Sequence, residues 1–507
     1  MLAAALLISS AAQAQFSASS LTEYQLGNLP DDEPSDLSNF YGHLDLTWRQ
    51  NTSSIGLRLE SFQSSIDERS YDHLTQRYFE WNDGPFKVRL GNFYTTLGRG
   101  LVLRAFELPN VIFEQRSFRR RYSYFRDIDG ILVSGVWKHL EFTLLHGKPL
   151  NNNYPPQIEG IDRREGVVDG AELKLRPAHW LMAGSAYAKT HFRQFRNYEI
   201  NSLFGEITLN RLLRQAGLQR ASLSLYAEHA RSFAKTDNFF STKKSDPHAT
   251  YLSLNFGYNK IGLTAEYKDY RQFETSMNLP PILYKEHSYY LLNRTTHELL
   301  SDFENGYQLE LSYRPITSIL LVGNWSVAKN DAGFSTFDFA DRFLEATVYA
   351  TPDISTKVFY DWSKDEVKGE DDRRTSGIDL EWSFYRNYAI TIEQQYQGVD
   401  KNLGPELREF YVNSYSSITL SKAPSLSLSA VVNRSTDSSE TDDATTQFKI
   451  ERNPRYWLSF VGSYQVNMSN ELTVFVGARR GGLVCLSGTC YEVLPFKGLE
   501  LRWITTF

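Results

Sequence analysis

The chain has 507 residues, and its 54 Lys and Arg against 60 Asp and Glu leave a net charge of −6 spread along its length. It offers no basic field of the kind that holds nucleic acid, so nucleic acid is excluded as a partner. Beyond residue 14 no stretch approaches the roughly 18 to 20 consecutive apolar residues that a membrane-spanning helix needs, which excludes a helical membrane protein.

Residues 2–14 form a short apolar run ending in Ala12-Gln13-Ala14, the small-x-small pattern that signal peptidase reads. Residues 1–14 are therefore expected to be a cleavable Sec-type export signal, with cleavage before Gln15, although no Lys or Arg precedes the run. No Cys follows it, which speaks against a lipoprotein. Strand-like Phe16–Gly27 comes next, which speaks against the N-terminal plug domain of a TonB-dependent receptor.

From residue 16 onward, segments alternate apolar and polar residues with period two, the signature of strands. Leu44, Leu46 and Trp48 share one face, and His43, Asp45, Thr47 and Arg49 the other; Ile55, Leu57 and Leu59 stand against Arg58 and Glu60. The pattern returns in Leu223, Leu225 and Ala227 against Ser222, Ser224, Tyr226 and Glu228. It recurs in Ile378, Leu380, Trp382 and Phe384 against Asp379 and Glu381.

Connections alternate in length. Short turns at Gln50–Ser53, Asn82–Pro85, Lys138–His139, Tyr258–Lys260 and Met468–Asn470 are separated by longer polar links such as 28–39, 64–73, 148–163, 232–247, 271–304, 329–339, 364–373 and 397–407. Short turns at one end and long loops at the other are the layout of outer-membrane barrels. The expected fold is thus all-β: residues 15–507 form a transmembrane antiparallel up-and-down β-barrel of about 24 strands (22–26), with short periplasmic turns and long extracellular loops. So wide a lumen cannot be filled by wall side chains, so the polar face must line water or a plug.

Residues 94–127 interrupt the alternation. They carry Arg99, Arg104, Arg116, Arg119, Arg120, Arg121 and Arg126 against only Glu107 and Glu114 before Asp127, and Leu101, Val102, Leu103, Phe106, Leu108, Val111, Ile112 and Phe113 are too apolar for a loop left in water. This segment is expected to fold into the lumen as a constriction, anchored on the wall by its apolar residues. Its arginines then either face a narrowed passage and favour anions or pair with wall carboxylates and hold a plug, while Arg119–Arg121 offer a third reading, binding lipid phosphate or lipopolysaccharide near the rim. The link 364–373, with Asp365, Glu366, Glu370, Asp371 and Asp372, reads as a solvated acidic loop; the alternative is a divalent Ca²⁺ or Mg²⁺ held with neighbouring surface lipids, though the spacing matches no EF-hand.

Cys485 and Cys490 stand close together in a chain expected to be exported, and an oxidising periplasm makes a small loop disulfide the natural reading; a metal pair would lack a nearby His or a second Cys pair. In the last segment Leu499, Leu501, Trp503 and the terminal Phe507 share one face. A closing strand that ends on Phe resembles the insertion signal read by the barrel-assembly machinery. No Gly-x-Ser-x-Gly, His-Glu-x-x-His, phosphate-binding Gly-rich loop or Ser-x-x-Lys stands in a plausible context. No enzyme activity, cofactor or metal is expected, and His43, His146 and His229 are expected to make wall hydrogen bonds.

Two motifs, Gly91-Asn92-Phe93-Tyr94-Thr95-Thr96-Leu97-Gly98-Arg99-Gly100-Leu101 and the run from Arg479 through Cys490 leading by Pro495-Phe496 into the last strand, resemble those of large, poorly characterised outer-membrane barrels of the Bacteroidetes type. The resemblance implies the barrel fold and an outer-membrane location among lipid and lipopolysaccharide, and brings no substrate or catalytic residue. The function expected is a channel or porin for small polar, anion-leaning solutes. The alternative is a non-transporting barrel that anchors or assists a protein partner in secretion or envelope assembly.

Overall fold

Period-two alternation gives every strand two faces, and the fold places them in different surroundings. The computed structural model describes residues 15–28, 37–158, 162–193, 196–232, 246–282, 284–298, 302–331, 335–385, 387–404, 407–440 and 454–507. The expected signal at residues 1–14 lies outside them, as do most of the links 28–39 and 232–247.

Among the described residues, 24 strands form one sheet. Each wall strand pairs antiparallel with its neighbours, and the first strand, Gln15–Asn28, pairs both with Leu37–Gln50 and with the last, Phe496–Thr506. The sheet therefore closes on itself, leaving no unpaired edge, as backbone in hydrocarbon requires. The Phe507 N–H donates to Ala18 O (2.7 Å), tying the last residue to the first strand.

The apolar face points outward. Leu309 and Leu311 are 38% and 46% exposed, and Leu57, Leu59, Leu428 and Leu458 are exposed in the same way. Outside a barrel such positions meet lipid, where an Arg or Lys at mid-bilayer would cost about 2–4 kcal/mol. The polar face points inward: on the strand Ala221–Ser232, Glu228 is buried while Leu225 is exposed.

Three links expected to be long are in fact mostly strand. The segment 364–373 turns through a single 3-10 turn, Glu366–Lys368, and Gly369 in the left-handed region; 397–407 continues the strand Tyr388–Gly404; and 329–339 belongs largely to Ile319–Asp331 and Thr336–Thr351. The physical reason is length. Glu370–Phe384 has 15 residues and Tyr388–Gly404 has 17, whereas about 9–11 tilted residues cross a bilayer. The surplus stands in water, takes polar residues and reads as loop. The acidic residues of 364–373 are also engaged rather than merely solvated: Glu370 pairs with Arg373 (2.6 Å), Asp372 with Arg374 (2.9 Å) and Asp371 with Arg408 (3.5 Å).

Candidate functional site

Among the described residues, connections at the long-loop end turn inward and occupy that half of the lumen, and three of them interlock. The first, 94–127, carries three short strands, Thr95–Leu97, Leu103–Gln115 and Arg120–Arg126, paired as a small sheet of their own. The second, 272–302, contains the short helix Tyr290–Arg294. The third, 480–495, is a hairpin of Gly482–Leu486 and Thr489–Val493 closed by the Cys485–Cys490 disulfide.

Apolar residues anchor the first connection to the wall. Leu97, Leu101, Val102 and Leu103 are buried against inward-facing Ala186, Ala188, Phe204, Ala230 and Ala249. On the opposite side Ile112 packs on Leu21, Tyr41, Phe62 and Tyr71. Each fully buried Leu or Val contributes about 1.5–3 kcal/mol, so the connection is held as a core holds a helix. At its turn the Gly98 N–H donates to Glu172 Oε2 (2.7 Å) and the Arg99 N–H to Glu228 Oε2 (2.9 Å). Gly98 sits at φ +62°, and a Cβ there would meet the Glu228 carboxylate, so the position favours glycine.

The three connections then lock to one another. The Arg104 N–H donates to Met277 O (2.9 Å) and the Leu279 N–H to Gly100 O (3.1 Å). Asn293 donates to Cys485 O (2.8 Å) and accepts from the Cys485 N–H (3.0 Å), while the Ser487 and Gly488 N–H groups donate to Glu286 (3.0 and 2.9 Å). The Arg104 guanidinium donates to Ser487 O (2.9 Å), and Arg116 pairs with Glu492 (2.5 Å). The disulfide hairpin is thus built into the plug, with Cys485 buried.

The seven arginines divide. Arg121 is buried and pairs with Glu23 (2.5 Å), which is 0% exposed and also holds Arg502 (2.6 Å). Arg119 faces Glu114 (3.5 Å), and Arg120 donates to Glu68 O (3.0 Å). With Arg116, these four hold structure together.

The other three make no ion pair among the described residues. Arg99 is exposed on the underside of the plug, its guanidinium 3.9 Å from the Tyr226 ring centroid. Arg104 and Arg126 flank the Phe106 ring at 4.9 and 5.7 Å. Burial, and then the neighbouring Arg126 charge, push the pKa of Arg104 down, and the same two causes lower that of Arg164 in the link 148–163 and its flank. Three guanidiniums therefore share one region. Arg164 is invisible to sequence reasoning, because nothing near it in the chain marks it as a neighbour of Arg104.

His43 contacts Ser123 (3.2 Å), His146 contacts Asp169 (2.7 Å) and His229 contacts Thr250 (2.8 Å). The Ser123 contact joins wall to plug.

Toward the short turns the described lumen is less filled, with Lys285 of the second connection reaching Glu310 there (2.5 Å). Ser222, Ser224, Asn255, Thr264, Glu310 and Ser312 line a hollow beside Asn210, on the short helix Asn210–Gln215. Ser222 and Asn255 are exposed.

The family described as "Family of unknown function (DUF6029)" matches residues 14–507. No curated protein matches the sequence. Among solved structures, the chain is similar to Pseudomonas aeruginosa OccD3 (OpdP), with 12% identity over 70% of this chain and 88% of that one and a TM-score of 0.39. It is similar to Acinetobacter baumannii OccAB2, with 10% identity over 70% and 92% of the two chains and a TM-score of 0.41. A third is Pseudomonas aeruginosa OccK2 (OpdF), solved with glucuronate, with 11% identity over 70% and 92% and a TM-score of 0.38.

Proposed function

We propose that the chain, which belongs to the DUF6029 family of unknown function, is an outer-membrane channel for small anionic solutes, narrowed from the long-loop, extracellular side by its three interlocked connections. The observation that carries this reading is the pair Arg104 and Arg126, both in the first connection and flanking the Phe106 ring with no ion-pair partner among the described residues, with Arg99 exposed beside the Tyr226 ring. Like charges held together and partly desolvated repel one another, and the arrangement is relieved when an anion enters. The polar wall of the short-turn half supplies a solvated path to the periplasm, and the apolar outer face supplies the lipid contact.

The test is the reversal potential of the purified, refolded barrel in planar bilayers under a KCl gradient. Wild type is expected to show discrete conductance steps with an anion-biased reversal potential, and a variant carrying Arg104→Gln and Arg126→Gln to lose most of that bias while keeping its steps. An unchanged bias would remove these arginines from the path. A silent wild-type barrel would favour the other reading, a non-transporting anchor for a partner, which the tightness of the interlock fits.

A further inference from the structure

The second connection is fastened to the wall by side chains that nearly all meet a partner: Lys285 pairs with Glu310 (2.5 Å), Tyr289 donates to Glu345 (2.7 Å) and His297 bonds Asp365 (2.9 Å). His287 departs from this. It is 7% exposed, and neither of its ring nitrogens makes a hydrogen bond among the described residues.

What His287 faces is a pair of wall carboxylates. Asp341, on the strand Thr336–Thr351, and Asp361, on the adjacent strand Ile354–Asp365, are 5% and 1% exposed. One ligand atom from each of the three residues lies within 4.8 Å of the others. Among the described residues, Asp341 Oδ1 and Asp361 Oδ2 have no hydrogen-bond partner, and Asp361 Oδ1 accepts a long bond from Ser363 Oγ (3.3 Å). The nearby cation, Arg373, donates elsewhere, to Glu370 (2.6 Å) and Thr295 O (2.9 Å). Two adjacent carboxylates cannot both stay ionised in a buried site without a counter-charge, and buried acceptors without donors are costly.

We propose that His287, Asp341 and Asp361 bind one divalent cation of the zinc class. One imidazole nitrogen and two carboxylate oxygens, with a position left for water, suit a borderline first-row ion better than Ca²⁺ or Mg²⁺, which favour more numerous, all-oxygen ligands. Because the imidazole comes from the plug and the carboxylates from the wall, the ion pins the second connection in the lumen. The site stands apart from the transport reading, since it would serve a closed barrel as well as a channel.

The experiment uses the full-length, EDTA-stripped, refolded barrel dialysed against ZnCl₂ alone, with bound metal counted by mass spectrometry and folding checked by heat-modifiable gel mobility. Wild type is expected to retain one zinc per chain, with Zn K-edge absorption showing nitrogen and oxygen ligands at about 2.0–2.2 Å. His287→Gln and Asp361→Asn are expected each to weaken binding at least tenfold while the barrel still shifts on the gel. A folded wild type that holds no zinc, or zinc retained undiminished by folded variants, would overturn the proposal. So would a wild-type edge spectrum showing water ligands alone, and that measurement stands even if a variant fails to fold.

Discussion

The two halves of the lumen are walled by the same strands yet differ in kind. Toward the long loops, inward-facing Glu23, Glu228, Glu304, Asp361 and Asp365 are 0–1% exposed, and Glu23, Glu228, Glu304 and Asp365 bond to the inserted connections. Toward the short turns, inward-facing Ser222, Ser224, Asn255 and Thr264 are small, uncharged and reached by solvent. Alternation of period two is identical in both. A polar inward face is therefore compatible with water or with a plug, and the difference lies in pairing: carboxylates of the filled half are matched by arginine, histidine and backbone N–H groups of the plug, whereas Glu381, near the short turns, is exposed.

The sharpest way to break this contrast is to remove a matched charge. Glu23→Gln leaves the buried Arg121 with the weaker Glu114 contact, 3.6 Å away, and breaking a buried pair costs about 3–5 kcal/mol. Amide exchange over 120–126 should accelerate accordingly; unchanged exchange would mean that the pair does not hold the plug. The disulfide comes next. Cys485→Ser with Cys490→Ser frees a short loop, at a cost below the roughly 3 kcal/mol expected for a 15-residue loop, and should speed exchange in 482–493 while leaving the wall strands protected.

A pH dependence follows from His297. Burial disfavours its charge, but hydrogen bonds and charge from Asp365 and Glu304 outweigh burial and raise its pKa above 6.5. Of its carboxylate neighbours, Glu304 also holds Lys268, and Lys368 and Arg373 lie near Asp365. A pKa raised on folding means that the stabilisation is fully present below about pH 6.5 and is lost as pH rises through the raised value. After correction for intrinsic rates, the plug around 289–297 should open more often at high pH than at pH 6, and His297→Gln should flatten the profile. The smallest effect is expected in the wet half: Ser222→Ala should change stability by no more than about 0.5 kcal/mol, a shift checked by denaturant titration of the refolded barrel.

Most of the wall was legible in the sequence, because pairs such as Leu225 with Glu228 or Leu501 with Glu500 state which face meets lipid and which meets the lumen. Link lengths were less legible, since polar strand ends such as Glu370–Arg374 rise above the bilayer and lose the apolar half of the pattern. The candidate site was half legible. The arginines of 94–127 stood out by number, but their division into Arg121, paired with Glu23, and Arg104, left beside Arg126, depends on contacts between distant segments. Arg104 meets Ser487 across 383 residues and Asn293 meets Cys485 across 192. His287 with Asp341 and Asp361 follows no spacing at all, because register between strands, rather than neighbourhood along the chain, brings them together.

The contrast between the halves is tested most directly by thiol labelling. Ser326, 0% exposed in the filled half, and Ser222, in the wet half, are replaced one at a time by Cys, and the folded barrels are treated with a bulky, membrane-impermeant maleimide. Rapid labelling at 222 with protection at 326 until the barrel is unfolded is the predicted result; equal labelling at both positions would contradict a lumen filled on one side and open on the other.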